Sequence, residues 1–272
     1  MHLANKVKSF FRLLKNDGLK RVIVEIIDRY HLPVRLSQAF RWEAGIRSQV
    51  RFWDLWFKTK GLRWPDEYKK RLDPQRPLQP RVEALLPEMD NCSILDVGAG
   101  PLTVLGKRME GKSIYITAVD PLADEYNILL EKYQIEPIVR TEKLDAEKLD
   151  QKFDLDTFDL VYASNAIDHA YNPENAILQM IRVVKPNSYV LLEHAHNEAE
   201  NQNYSGFHQW NFSISQEKDF LISSKTFTVN MTKKYADICD ISCEIIGNTI
   251  ITQIRKKLSN TKELALKLDY ED

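Results

Sequence analysis

Apolar and polar positions along this chain change period several times. Near the start, Leu3, Val7, Phe10, Phe11 and Leu14 recur at helical spacing, which predicts an amphipathic helix within residues 1–21. Trp42, Phe52, Trp53, Trp56, Phe57 and Trp64 then give a second predicted helix, over about residues 37–60, a broad aromatic surface. Pro65, Pro74, Pro77, Pro80 and Pro87 interrupt the helical pattern ahead of a stretch of different texture. There short apolar runs end in acids. Residues 93–97 contain Asp96 and run into Gly98-Ala99-Gly100, and residues 114–119 are followed by Asp120. A third strand-like run lies at 136–140. Towards the end, 220–223 and 226–229 are β-prone, and runs at 238–246 and 249–255 flank Gly247-Asn248, a two-residue hairpin turn.

The first two runs carry the most specific signal. Glycines at the tip of one strand let backbone press against a ligand where a Cβ would obstruct both the turn and the approach. An acid at the tip of the next strand sits beside that turn in a doubly wound sheet and is placed to grip ribose hydroxyls. A dinucleotide dehydrogenase would add a third glycine three residues on, but Thr103 stands there. The spacing is instead Asp-x-Gly-x-Gly, and with it the chain resembles the class I S-adenosylmethionine-dependent methyltransferases.

The resemblance extends over about residues 90–195, with Asp145-Ala146-Glu147, the run 158–165 and the segment 182–193 following in the family's order. It implies an α/β fold, a doubly wound, seven-stranded, mostly parallel sheet, the hairpin at 247–248 supplying the last two strands. Residues 1–88 are expected as an N-terminal helical and aromatic cap. Residues 89–258 are the cofactor-binding domain, with an acceptor-side insertion at 194–235, and 259–272 are a tail. The resemblance places Asp96, Gly98, Ala99 and Gly100 at the methionine end of S-adenosylmethionine and Asp120 with Pro121 at the ribose. Asp145 and Ala146 fall at the adenine, and Ser164 and Asn165 on the sulfonium side.

Composition narrows the partners. At 272 residues and 43% hydrophobic content the chain can bury one large core and an accessory layer. Its net charge of −1 points to no nucleic acid. Cys92, Cys239 and Cys243 form no paired framework, which suits a reducing cytoplasm. No apolar stretch is long enough to span a bilayer. The first 21 residues carry a local charge of about +5 and offer a peripheral contact with an anionic membrane surface, against the plainer role of a terminal helix packed on the body.

Transfer of a methyl group to a hydroxyl also needs a proton acceptor, and histidine titrates near neutral pH. The candidates are His208 first, then His194 and His169. Asp168, His169, Glu193, His194 and His196 also suit a divalent metal, but they lie on separate segments without a tight ligand motif, so a reading without metal is preferred. Tyr204, Phe207 and Trp210 among the polar residues 198–211 suit a glycan or another polyhydroxylated small molecule. The competing expectations are N- or O-methylation of a small aromatic metabolite and a nucleoside-binding partner protein without catalysis.

Overall fold

The computed structural model describes residues 38–258. The predicted amphipathic helix of residues 1–21 and the tail at 259–272 lie outside these residues. Among the described residues, three helices precede the sheet: α1 (Gln38–Lys58), α2 (Pro65–Leu72) and α3 (Pro80–Glu83), the last two each opened by a proline at the position where a missing N–H costs nothing.

The sheet then begins with β1 (Asn91–Val97), β2 (Ser113–Asp120), β3 (Thr141–Lys143), β4 (Phe158–Ser164) and β5 (Val184–Ala195), and is completed by β9 (Cys239–Ile246) and β10 (Thr249–Lys256). Its order is β3-β2-β1-β4-β5-β10-β9. β1 to β5 pair in parallel, while β10 runs antiparallel to both β5 and β9. This is the doubly wound, seven-stranded fold expected from the motif order. Helices α4 (Ala123–Lys132) and α5 (Pro173–Val183) cover it, and the central strands are buried along most of their length, as parallel strands covered on both faces must be. Leu95, Val97, Val161, Ala163, Ile177 and Ile181 form the middle of the largest core cluster. Asn172 caps α5, its side chain accepting from Asn175 N at 3.1 Å.

The strand expected at 136–140 forms later, at Thr141–Lys143. Pro137 lacks a donor for the ladder and Ile138 is exposed; pairing starts where Thr141 becomes buried and donates its hydroxyl to Gly100 O at 2.7 Å. The segment 98–112, between β1 and β2, forms no helix. It holds Pro101, Gly106 and Gly111, and Gly106 passes so close to Pro77 that a Cβ would lie 1.9 Å from the Pro77 carbonyl oxygen.

The insertion at 194–235 is more ordered than its polarity suggests. It contains a short helix α6 (Glu198–Asn201) and an antiparallel three-stranded sheet of β6 (Asn211–Ile214), β7 (Phe220–Ser223) and β8 (Thr228–Asn230), followed by α7 (Met231–Lys234). The aromatic face of α1 packs on α4: Trp53, Trp56 and Phe57 are buried among Tyr126, Leu129 and Leu130. The three cysteines are unpaired thiols. Among the described residues, no helix is long and apolar enough to cross a membrane.

Candidate functional site

Sheet order reverses between β1 and β4, and in doubly wound sheets a crevice opens at the carboxyl ends of the strands at that point. Here it is a cavity of about 1120 Å³. Its floor comes from four strand ends. Asp96, Gly98, Ala99 and Gly100 follow β1, Asp120 and Pro121 close β2, Asp145 and Ala146 follow β3, and Ser164 and Asn165 close β4. Its roof is the cap, through Phe52, Trp53, Trp56, Trp64 and Arg71. The far wall holds His169, Glu198, Phe207 and His208.

The glycine turn is held against β2. Gly98 N and Ala99 N donate to Val119 O at 2.8 and 3.1 Å, and Gly100 N donates to Asp120 Oδ2 at 3.1 Å. Gly98 has φ +71°, and a Cβ there would lie 2.3 Å from Ala166 Cβ. Gly100 has φ +66°, with Trp53 Cζ2 3.0 Å from where its Cβ would be, so α1 rests directly on the turn. Asp120 also accepts from Leu122 N at 2.9 Å, which fixes the carboxylate while lone pairs on both oxygens stay available. Burial pushes its pKa up to about 6 despite those two backbone hydrogen bonds. Asp96 is 2% exposed and accepts from the Thr103 hydroxyl; burial likewise raises it to about 6, against the pull of Thr103 and of Arg71. Asp145 pairs with Lys148 at the rim.

Arg71, which no sequence motif singled out, is the cation of this end. Its Nη1 donates to Leu102 O at 2.6 Å, and its guanidinium lies 5.4 Å from the centroid of Trp53 and 5.8 Å from that of Trp56. Among the described residues, Arg71 Nε is a buried donor without a hydrogen-bond partner, whereas Trp53 Nε1 faces the Tyr126 hydroxyl. Burial lowers the Arg71 pKa to about 10, which leaves it charged. An unpartnered cationic donor beside a glycine turn and a ribose-type acid fits the carboxylate, ribose and amino-acid portions of S-adenosylmethionine.

The expected histidines separate. His169 and His208 face each other in the cavity, His169 Nε2 lying 3.1 Å from His208 Nδ1. His194 does not reach the cavity. It is fully buried, its Nε2 accepts from Ala166 N and Ile167 N at 3.3 and 3.1 Å, and Phe212 packs on its ring. The apolar inside of β5 and the backbone of the turn after β4 enclose it, so it shapes that turn and does not meet an acceptor. Burial lowers the pKa of His169 to about 4 and also lowers that of His208.

The other proposed ligands disperse as well. Glu193 accepts from Arg81 and from the Tyr162 hydroxyl, both at 2.7 Å, and His196 is absent from the cavity lining. Asp168 joins His169 and His208 instead. Of the insertion's polar and aromatic residues, Glu198, Gln202 and Phe207 line the cavity together with His208. Trp210 packs against the core, and Tyr204 accepts from Asn211 Nδ2 at 3.1 Å. Gly45, on α1, was also missed. A Cβ there would lie 2.6 Å from the Phe207 ring, so this glycine lets the insertion close against the cap. The signal for it was a lone glycine inside a helical pattern.

Comparison with known proteins agrees with this architecture. Residues 95–192 match the family model described as a methyltransferase domain. A chain from the complex between the Haloferax volcanii Trm112 methyltransferase activator and a protein described as a methyltransferase superposes with a TM-score of 0.50 at 15% identity, covering 75% of this chain and 97% of that one. A protein from Methanococcus maripaludis, described as an S-adenosyl-L-methionine-dependent methyltransferase, gives 0.47 at 11% identity over 78% of this chain and 94% of its own. One from Methanosarcina mazei, described as a SAM-dependent methyltransferase, gives 0.42 at 14% identity over 66% and 99%. A search of curated proteins returns no match.

Proposed function

We propose that the protein, whose residues 95–192 match a methyltransferase-domain family model, uses S-adenosylmethionine to methylate a hydroxyl of a polyhydroxylated small molecule, a sugar or glycan, seated against His169 and His208. The observation that carries this reading is one cavity holding a glycine–acid turn at one end and an imidazole pair at the other. Its volume accommodates a nucleoside cofactor and an acceptor together.

When bound, the cofactor supplies a methyl group made electrophilic by its sulfonium. The protein's own residues do the remaining work. Asp120 accepts from the ribose hydroxyls while its backbone bonds hold it still. Gly98 to Gly100 would leave room for the aminoacid portion, and Arg71 would receive its carboxylate. Pro121, Asp145 and Ala146 flank the adenine, and Ser164 and Asn165 border the sulfonium side. The cap excludes water and aligns the acceptor, and such alignment is worth roughly 7–11 kcal/mol of barrier at best. The acceptor hydroxyl loses its proton on the side where His169 and His208 stand. The exposed rings of Trp64 and Tyr171 at the rim offer apolar faces, and Glu198 and Gln202 offer hydrogen bonds, a mixture that suits sugar rings.

The test is transfer of a labelled methyl group to parallel sets of sugars and glycosides, phenols and amines. Label on sugar hydroxyls is the expected result; label confined to amines or phenols would overturn the acceptor class.

A further inference from the structure

We propose that Asp168, His169 and His208, with Glu198 beside them, bind one divalent transition-metal ion at the acceptor end of the cavity. The four residues come from two places. Asp168 and His169 lie on the short turn after β4, while Glu198 opens α6 and His208 precedes β6. The fold brings their ligand atoms together. His169 Nε2 is 3.1 Å from His208 Nδ1 and 3.4 Å from Asp168 Oδ2, and His208 Nδ1 is 3.6 Å from Glu198 Oε1. An ion with bonds of about 2.0–2.1 Å sets adjacent ligand atoms roughly 3.0–3.4 Å apart; the His169–His208 and His169–Asp168 pairs already have that spacing, and the ligand atoms of Asp168, His169 and His208 all lie within 4.8 Å of one another.

An independent observation asks for a cation here. Asp168 is 1% exposed, and its Oδ1 has no hydrogen-bond partner. On the Oδ1 side, His194 Nε2 at 3.7 Å already accepts from two backbone N–H groups and therefore has no proton to give, while Oδ2 lies 3.4 Å from His169 Nε2. A hydrogen bond shared between the two cavity imidazoles occupies His169 Nε2 and His208 Nδ1, and Asp168 Oδ1 is left without a donor among the described residues. Burying a carboxylate with one oxygen undonated is unfavourable, and an ion held between Oδ2 and the imidazoles would supply the missing positive charge. The ring of His169 is held in place by Phe207, stacked at 5.9 Å with 20° between planes.

Two imidazoles with one or two carboxylates suit Zn²⁺, Co²⁺, Fe²⁺, Ni²⁺ or Mn²⁺ better than Ca²⁺. His169 and His208 are 21% and 29% exposed, so the remaining coordination positions face the cavity. They are placed to take two adjacent oxygens of the acceptor, and the ion would make the bound hydroxyl more acidic. The acceptor's role rests on the methyl-transfer reading, but ion binding itself does not.

The test is titration of chelator-treated protein with Co²⁺, followed by visible d–d absorption, and with Zn²⁺, followed by calorimetry. One equivalent per chain is expected, with affinity weakened at least about tenfold in His208→Ala and in Asp168→Asn. S-Adenosylhomocysteine, titrated into the same metal-free samples, should bind wild type and His208→Ala alike. No stoichiometric uptake of either ion would overturn the proposal, as would equal uptake by a His169→Ala/His208→Ala double variant that melts like wild type without metal. S-Adenosylhomocysteine binding without ion uptake would remove the metal site and keep the methyl-transfer reading. Ion uptake without S-adenosylhomocysteine binding would support the metal site and overturn that reading.

Discussion

At the glycine–acid end of the cavity, Asp96, Gly98, Gly100 and Asp120 come from a single stretch of 25 residues, two strands that are neighbours in sequence and in space. At the other end, Asp168 and His169 meet Glu198, Phe207 and His208 across nearly forty residues of chain, and Phe207 is in turn seated against Gly45 of the cap. The first end is local and backbone-built, its donors fixed by strand register. The second is assembled from side chains on turns, and depends on the insertion folding against β4 and α1. A cofactor shared by many enzymes can be held by the first kind of site, whereas an acceptor particular to one enzyme calls for the second, because loops can change without disturbing the sheet.

The largest effect should come from breaking the backbone-built end. Gly98→Ala places a Cβ 2.3 Å from Ala166 Cβ at a φ of +71°, which combines overpacking with backbone strain. A loss of roughly 2–5 kcal/mol in stability or cofactor binding follows, to be read by thermal melts and calorimetry with S-adenosylhomocysteine. Wild-type binding in this variant would mean the turn does not approach the ligand.

His208→Ala probes the opposite end. It should lower kcat by about 10²-fold and leave affinity for S-adenosylhomocysteine unchanged, because the ring stands on the acceptor wall. A rise in KM for S-adenosylmethionine as the main effect would show that the two ends are not separate.

Arg71→Met keeps the stem over Trp53 and removes the charge. Cofactor binding should weaken by about 1–3 kcal/mol, appearing in KM for S-adenosylmethionine and sparing kcat. Unchanged KM would take Arg71 out of the cofactor site.

The smallest effect concerns stability of the ligand-free protein. The folded-state pKa of Asp96 is raised from 3.8 to about 6, so the folded state holds its proton more tightly than the unfolded chain. That contribution is complete below pH 3.8 and is lost as pH rises through 6. Between pH 5 and pH 8, wild type should therefore lose on the order of 1 kcal/mol through this group, and Asp96→Asn should lose correspondingly less. Denaturant melts of both proteins at the two pH values would show it, and parallel pH profiles would refute it.

The same contrast explains what the sequence could reveal. Strand order and the cofactor-side residues follow from glycines, acids and apolar runs whose spacing is local, and the hairpin at 247–248 was equally visible. Strand β3 was misplaced because Glu136–Arg140 has strand-like composition, yet Pro137 cannot pair. Arg71 sits in Pro-Asp-Glu-Tyr-Lys-Lys-Arg-Leu, where it is indistinguishable from a solvent-facing cation until tertiary packing buries it beneath two tryptophans. His194 and His208 looked alike in sequence. Only the packing of Phe212 and the turn after β4 decides that one is enclosed and the other lines the cavity.

The most direct test of the two-ended cavity is calorimetric titration of S-adenosylhomocysteine into wild type, Asp120→Ala and His208→Ala. The account predicts one micromolar site in wild type, weakened by about 1–3 kcal/mol in Asp120→Ala and unaltered in His208→Ala. No binding to wild type, or equal binding by all three, would contradict it.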